Sequence, residues 1–447
     1  MTEDHLERGR TASGGRRWRA IVTVALLATA VTLASVPLAL GSSGGAGIGA
    51  QPRPAHHAPV HRRTAPPRRT APRRPTRPRR QRVATARLGP FAGRGMWIWY
   101  VSRSDGGDVA SIIAKAHRFG VSTLLIKSGD GSGVWSQFNS TLVGRLHAGG
   151  LRVCAWQYVY GNEPVAEAQV GAHAARSGAD CLVIDAEGEY EGKYVQAQTY
   201  IGRLRQLIGS RFPVALAGLP YVDYHPGYPY SIFLGPGGAQ YNLPQMYWAD
   251  IGVSVDSVYA HTYAFNQIYR RTISPLGEVT GSPPTAQIRR FRQLSRSIGA
   301  PGVSWWDWQE SAPRSWRAIS QPVASLAGVH SAPRPAGVAQ GARGDLVVWA
   351  QEHLRSAGLN VTIDGDFGPG TKRAVASFQR AHALPAIGRI GPATWQALLR
   401  YRPASVHWTS RGARTASAAS SGLWLPVPKS ASLRARGYEI PRSRGRG

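Results

Sequence analysis

Acid and cysteine are what this sequence has least of. No Asp or Glu occurs between Arg8 and Ser104, and the stretch after Tyr401 holds only Glu439. Against 24 acidic residues stand 54 Lys and Arg, a formal charge of +30. That excess is concentrated in the two arms of the chain. Nucleic-acid readers carry their basic charge on one face of a folded module, so a nucleic-acid partner is not expected. With only Cys154 and Cys181, the chain is neither a disulfide scaffold nor a zinc ribbon. Both cysteines fall in predicted neighbouring strands; two buried free thiols are expected there, although one bond is geometrically conceivable. Other chemistries are missing too. There is no H-E-x-x-H or H-x-H pair, and Asp223-Tyr224-His225 reads as loop, so no metal is required. Gly129–Gly133 lacks the Lys and Ser/Thr of a phosphate loop. No G-x-S-x-G elbow supports a serine hydrolase. No cofactor is expected.

What is present begins with a basic cluster (Arg8, Arg10, Arg16, Arg17, Arg19) followed by the uncharged, largely apolar run Ala20 to Leu40 and a small-residue exit to Ala50. Residues 1–50 therefore read as an export signal or an N-terminal membrane anchor, and either places the remainder outside the cytoplasmic membrane. Residues 51–88 are Pro/Arg-rich low complexity. They bury no core, and an extended polyproline conformation would give them a reach on the order of 100 Å. This segment reads as a disordered spacer whose cations can also contact anionic wall polymers or a membrane surface.

Residues 89–320 repeat a strand, helix, strand rhythm. The predicted strands are Met96–Tyr100, Thr123–Lys127, Arg152–Tyr158, Cys181–Asp185, Pro213–Leu219, Leu243–Trp248, Ile273–Val279 and Gly302–Trp308. Amphipathic stretches separate most of them, and several close on a glycine such as Gly120, Gly149 or Gly178. Eight strands in this length suit an α/β fold of the (β/α)8 barrel type. A doubly wound open sheet is the alternative, but no G-x-G-x-x-G follows any strand.

The barrel reading gathers polar and aromatic residues at one rim. Trp97 and Trp99 lie on the first strand, Gln157 and Tyr158 end the third, and Asp185 and Glu187 end the fourth. Gln245, Tyr247 and Trp248 end the sixth, Glu278 the seventh, and Trp305, Trp306 and Asp307 the eighth. Asp185 and Glu187 alternate along one strand, so they share a face with Cα atoms roughly 6.6 Å apart. Aromatic faces with carboxylates and amides are what a sugar cleft needs, because pyranose rings offer apolar C–H faces and hydroxyl edges. On the motifs Ile184-Asp185-Ala186-Glu187 and Gln245-Met246-Tyr247-Trp248, with Trp at the end of the eighth strand, the chain resembles glycoside hydrolase barrels of the chitinase and lysozyme type. It departs from them where the chitinases' upstream acids are missing, and where Trp97-Ile98-Trp99 stands in place of the lysozyme-like Asp.

After a Pro/Ala/Gly-rich linker (321–341), residues 342–401 show helical spacing at Leu346, Val347, Ala350 and Leu354, then at Val375 and Phe378, and at Trp395 and Leu398, as in a small all-α three-helix domain. The motif set Asp364, Gly365, Phe367, Gly368, Thr371, Phe378, Gln379 and Trp395 resembles the peptidoglycan-binding domain found beside wall hydrolases. Ile387-Gly388 stands where a second Asp-Gly is common. Residues 402–447 read as a disordered basic tail.

Together the resemblances imply an extracytoplasmic, cell-wall-associated glycoside hydrolase whose partner is peptidoglycan or a related wall glycan. Glu187 would be the general acid. Asp185 would orient it or stabilise an intermediate formed by the substrate's own N-acetyl group, with Tyr247 and Gln245 as hydrogen-bond partners. Glu278 and Asp307 are reserve water-activating bases. Two other readings remain open at this point: a binding or scaffold protein with an inactive barrel, and a hydrolase of another polysaccharide tethered to the wall.

Overall fold

The repeating units between Gly93 and Ser320 close into a ring. The computed structural model describes residues 89–409 and 412, all within one compact unit. The expected export segment or anchor, the Pro/Arg spacer and most of the basic tail lie outside the described residues. Strands β1 (Gly93–Ile98), β2 (Thr123–Asp130), β3 (Arg152–Val159), β4 (Cys181–Ala186), β5 (Val214–Ala217) and β6 (Tyr241–Asn242) pair in parallel, each with the next. The seventh position, β7, is split: Thr272–Ile273 pairs with β6, and Leu276–Glu278 pairs with β8 (Gly302–Trp306). Pro275 lies in the break, where it has no N–H to give to a ladder, and beyond it Gln245 bridges to Leu276. Parallel pairing of β8 with β1 completes the circle. The chain thus forms an α/β barrel, and the open-sheet alternative falls.

Outside the strands run α1 (Val109–Arg118), α2 (Ser140–Ala148), α3 (Pro164–Arg176), α4 (Tyr194–Ile208), α5 (Tyr230–Phe233), α6 (Trp248–Ile251), α7 (Val255–Asn266), α8 (Thr285–Ser297) and α9 (Pro313–Ser320). Local chemistry starts several of them. The Asp108 carboxylate accepts from the N–H groups of Ala110 and Ser111, Asn139 from Leu142, and Ser254 from Ser257, satisfying donors that have no partner within the helix. The β5–β6 connection, where the sequence shows no amphipathic stretch, holds the 3-10 turn Val222–Tyr224 and the single turn α5.

Strand alternation builds two cores. Leu182, Ile184, Val153 and Ala155 face the helices. Trp97, Leu125, Cys154, Trp156, Cys181, Val183, Ala215, Ala217, Leu243 and Leu276 fill the barrel. Cys154 and Cys181 stand directly opposite in the β3–β4 register with Cα atoms 4.6 Å apart and are joined as a disulfide. This corrects the expectation of two free thiols: neighbouring inward-facing positions bring the sulfur atoms together.

Helices α10 (Asp345–Ser356), α11 (Pro369–Ala381) and α12 (Pro392–Leu398) form the C-terminal domain. Its two turns are held alike. The Gln351 side chain accepts from the N–H groups of Asp364 and Gly365 and donates to the Thr371 hydroxyl. Gln379 accepts from the Gly388 N–H and donates to the Thr394 hydroxyl. Gly365 and Gly388 share a left-handed backbone, φ 73° and 66°, so the second turn keeps its shape although Ile387 replaces the acid. Phe367, Phe378 and Trp395 are core. The tail expected from Arg402 is not loose at its start: Gln198 on α4 binds the Val406 carbonyl and the Trp408 N–H, and Trp408 is buried against Tyr194.

Candidate active site

The carboxyl ends of β4 and β6 meet in a three-residue arrangement. Inward alternation on β4 runs Cys181, Val183, Asp185 and continues to Glu187 just past the strand. From the irregular end of β6, Gln245 reaches across, and its amide nitrogen donates to Asp185 Oδ1 and to Glu187 Oε1, each at 2.9 Å. Behind the strand end, the Tyr228 hydroxyl donates to the Ala186 carbonyl, fixing the backbone between the two acids. Asp185 is 5 % exposed, while Glu187 and Gln245 are half-buried and open to the rim.

Burial pushes the Asp185 carboxyl well above the ordinary carboxylate range, and the charge of Glu187 adds to this while Lys127 opposes it. Glu187 is also pushed up by burial, with the Gln245 hydrogen bond acting in the other direction. Burial is the cause common to both, and a neighbouring acid adds to it in each case, Glu187 beside Asp185 and Glu189 beside Glu187, favouring a proton on the pair. Tyr247, half-buried two residues beyond Gln245, has its phenol pushed up by burial and then by Asp185 and Glu187.

Aromatic rings line this mouth. Trp97 and Trp156 form its floor with Trp306, at centroid separations of 5.4 to 5.7 Å, and Trp99 packs on Trp306 at 5.7 Å. The buried Lys127 ammonium lies 4.7 Å from the Trp99 ring, 4.4 Å from Trp135 and 4.9 Å from Trp156, and pairs with Asp130 at 2.6 Å. Tyr158, in register with Asp185, donates to Glu189 Oε2 at 2.8 Å.

Of the residues read from sequence, Asp185, Glu187, Gln245, Tyr247, Tyr158, Trp97 and Trp99 are brought together. Gln157, Trp248 and Trp305 are not. Gln157 is fully buried on the helix side, donating to the carbonyls of Gly131 and Glu167. Trp248 begins α6 and donates to Gln287; Trp305 packs on Phe291. Each neighbours in sequence a residue that does face the mouth: Gln157 and Trp305 because adjacent strand positions point to opposite faces, and Trp248 because a helix starts there. Glu278 and Asp307 are buried near Tyr247. Glu278 accepts from the Ala249 N–H, and Asp307 from the Glu310 N–H and the Gln309 amide. Burial raises both carboxyls to about 7. Glu189 and Asp130 were missed as site residues. Strict alternation through Ser304 separates Trp306 from Trp305; the turn that places Glu189 leaves no period to read.

In the C-terminal domain, Asp364, Gly365, Gly368 and Thr371 shape the first turn, and Phe367, Phe378, Gln379 and Trp395 hold the core and the second turn. These residues build the domain.

Known proteins resemble different parts of the chain. The chain is 35 % identical over 88 residues to a zinc D-Ala-D-Ala carboxypeptidase of Streptomyces albus G, an overlap of 19 % of this chain and 34 % of that protein. It thus spans about a third of that relative's length. Among solved structures, an endo-beta-1,4-mannanase from Thermotoga petrophila matches at 10 % identity with a TM-score of 0.39, covering 52 % of this chain and 76 % of the enzyme. A chitinase from Chromobacterium violaceum matches at 11 % with a TM-score of 0.35, covering 52 % and 98 %. The barrel assignment rests on the chain's own strand order. Residues 343–398 match the family described as peptidoglycan binding domain, and the C-terminal helices of this chain are a domain of that family.

Proposed function

We propose that the chain is a cell-wall glycosidase that binds peptidoglycan through its C-terminal domain and cleaves glycan strands at the Asp185–Glu187 pair. The observation that carries this reading is the single Gln245 nitrogen shared by both carboxylates. That sharing holds the two oxygens closer together than the roughly 6.5 Å an inverting pair needs to admit a water. It also fits one proton residing on the pair.

Glu187, the more exposed member, gives its proton to the glycosidic oxygen as the bond to the anomeric carbon breaks. The substrate's N-acetyl carbonyl oxygen closes on the anomeric carbon from the other side, and Asp185 with Tyr247 holds that amide while positive charge develops on it. Water then opens the ring so formed, with Glu187 taking back a proton. Trp99 and Trp306 offer ring faces to the sugars. The Trp99 indole N–H is buried and without a partner among the described residues. Glu278 and Asp307 are left out of the chemistry because both are buried, Asp307 with its two oxygens bound by the Gln309 amide and the Glu310 N–H and Glu278 with Oε1 bound by the Ala249 N–H. Secretion to the wall is part of the proposal, and the Cys154–Cys181 disulfide suits an oxidising compartment.

The test is incubation of the protein lacking its N-terminal arm, beside Glu187→Gln, with purified sacculi, following new reducing ends and identifying the terminal sugar by mass spectrometry. Release by the parent alone supports the glycosidase. If neither releases sugar while both sediment with sacculi, the barrel is a glycan-binding scaffold.

A further inference from the structure

Seven of the barrel's eight outer positions carry helices of two turns or more, α1 to α4 and α7 to α9; the fifth carries only the 3-10 turn Val222–Tyr224 and the four-residue α5. The first helix of the peptidoglycan-binding domain lies over that stub. Asp345, at the start of α10, is fully buried. Its Oδ1 accepts from the Ser231 hydroxyl at 2.6 Å, and its Oδ2 accepts from the Ser231 N–H and the Tyr269 hydroxyl, each at 2.8 Å. Its own N–H donates to the Pro226 carbonyl at 2.7 Å. The preceding Gly344 has φ 94°, and a Cβ there would lie 2.2 Å from that carbonyl oxygen, so the approach admits no other residue. Trp349 donates to the Ile268 carbonyl and packs on Tyr269.

Nearly the whole circumference of α10 is buried, from Asp345 and Val347 through Leu354, as expected for a helix enclosed between two layers rather than lying on a surface. The linker is also pinned: Ala336 N–H donates to the Ala264 carbonyl, and Val338 pairs with Ile390 in both directions. On the far side, residues 404–408 return to the barrel, with Ala404 N–H on the Glu352 carbonyl and Trp408 held by Gln198 and Tyr194. A tethered domain would leave its linker and its helices without such partners.

We infer that the peptidoglycan-binding domain is a fixed part of the barrel, with α10 completing the helical coat over α5, so that a glycan bound by the domain meets the Asp185–Glu187 mouth at one distance and one direction. The docking stands on the contacts alone; its consequence for the glycan rests on the glycosidase reading. A fixed second site raises the effective concentration of the strand at the cleft without any new contact in the cleft.

The experiment inserts a protease site between the exposed Ala327 and Gly328 of the full chain and cuts it after folding. The two pieces are expected to co-elute on gel filtration and to release sugar from sacculi within about twofold of the uncut protein. With Asp345→Ala, or with Gln198→Ala plus Trp408→Ala should the first not fold, the cut pieces separate. Sacculus hydrolysis then falls by about tenfold or more while hydrolysis of a soluble chito-oligosaccharide changes less than about twofold. Separation of the cut parent pieces overturns the inference, as does equal sacculus hydrolysis by separated and joined pieces. Co-elution with no sugar released by any form upholds the docking and rejects the glycosidase reading instead.

Discussion

Replacing Gln245 by Leu removes one nitrogen and two hydrogen bonds while keeping a side chain of similar size at a half-buried position. The two bonds, each 2.9 Å and each to a carboxylate, are of the charge-assisted kind worth about 1.5–3 kcal/mol, or about one to two pK units of preference for the ionised form. Glu187 is already held up by burial, and the Gln245 bond lowers it; removing the donor raises it further. Asp185, raised by burial and by Glu187, loses its donor as well. Activity in the proposed mechanism needs one proton on the Asp185–Glu187 pair, so the alkaline limb follows loss of that proton and the acid limb follows binding of a second. Both limbs of the kcat/KM profile on a soluble glycan move to higher pH by about one unit. The maximum falls by about 10- to 100-fold, because the pair loses its fixed orientation. The measurement is kcat/KM from reducing ends at closely spaced pH values, with unfolding midpoints confirming an intact fold. A lowered profile with both limbs unmoved would refute the shared-proton account and reduce Gln245 to a positioning group.

Other expectations follow from the same geometry. Glu278 and Asp307 at about 7 lie above their unfolded values, as does Asp345 at about 7. The stability they contribute is fully present below pH 4 and is lost as pH rises through 7. His353, lowered to about 4 by burial, works against this below its unfolded value. Asp185 and Glu187 are raised too, so the carboxyls outnumber the one imidazole and predict an unfolding temperature higher at pH 5 than at pH 8; a flat or opposite trend in differential scanning fluorimetry counts against it. Trp306→Ala, at the mouth, should raise KM for oligosaccharides with modest loss of stability. Trp305→Ala, against Phe291, should cost about 3–5 kcal/mol in denaturant unfolding and leave KM nearly unchanged. Reducing the Cys154–Cys181 bond, which spans a sequence separation of 27, should cost about 3–4 kcal/mol of stability in urea titrations with and without reductant.

The sequence made the barrel legible because a parallel sheet needs apolar runs at regular spacing, and those runs survive without knowledge of the pairing. It could not show that β7 breaks at Pro275, or that the run expected as strand through Trp248 turns into α6, since both depend on where the ladder closes. The Asp185–Glu187 pair was legible because alternation places both acids on one face. The same rule separates Gln157 from Tyr158 and Trp305 from Trp306, while the start of α6 separates Trp248 from Tyr247, and reading both members of each pair into one cleft ignored this. In the Trp-Trp-Asp-Trp run on β8, composition gives no phase; only the inward Ser304, bonded to the Trp97 indole, fixes which tryptophan enters the mouth.

The missing helix between β5 and β6 was visible in the sequence as a gap in amphipathic periodicity, and the all-round burial of α10 was visible as apolar residues at Leu346, Val347, Ala350 and Leu354 together with Trp349. Neither observation points to the other until the two are placed in space. A barrel with one outer position stripped to a single turn exposes Tyr228, Tyr230 and Phe233 unless something covers them, and here all three are buried. Asp345 supplies the specificity of the cover: a carboxylate left in that position without its three donors would cost several kcal/mol, so the domain has one seat and not a range of them. A binding domain seated in this way cannot search the wall independently of the cleft.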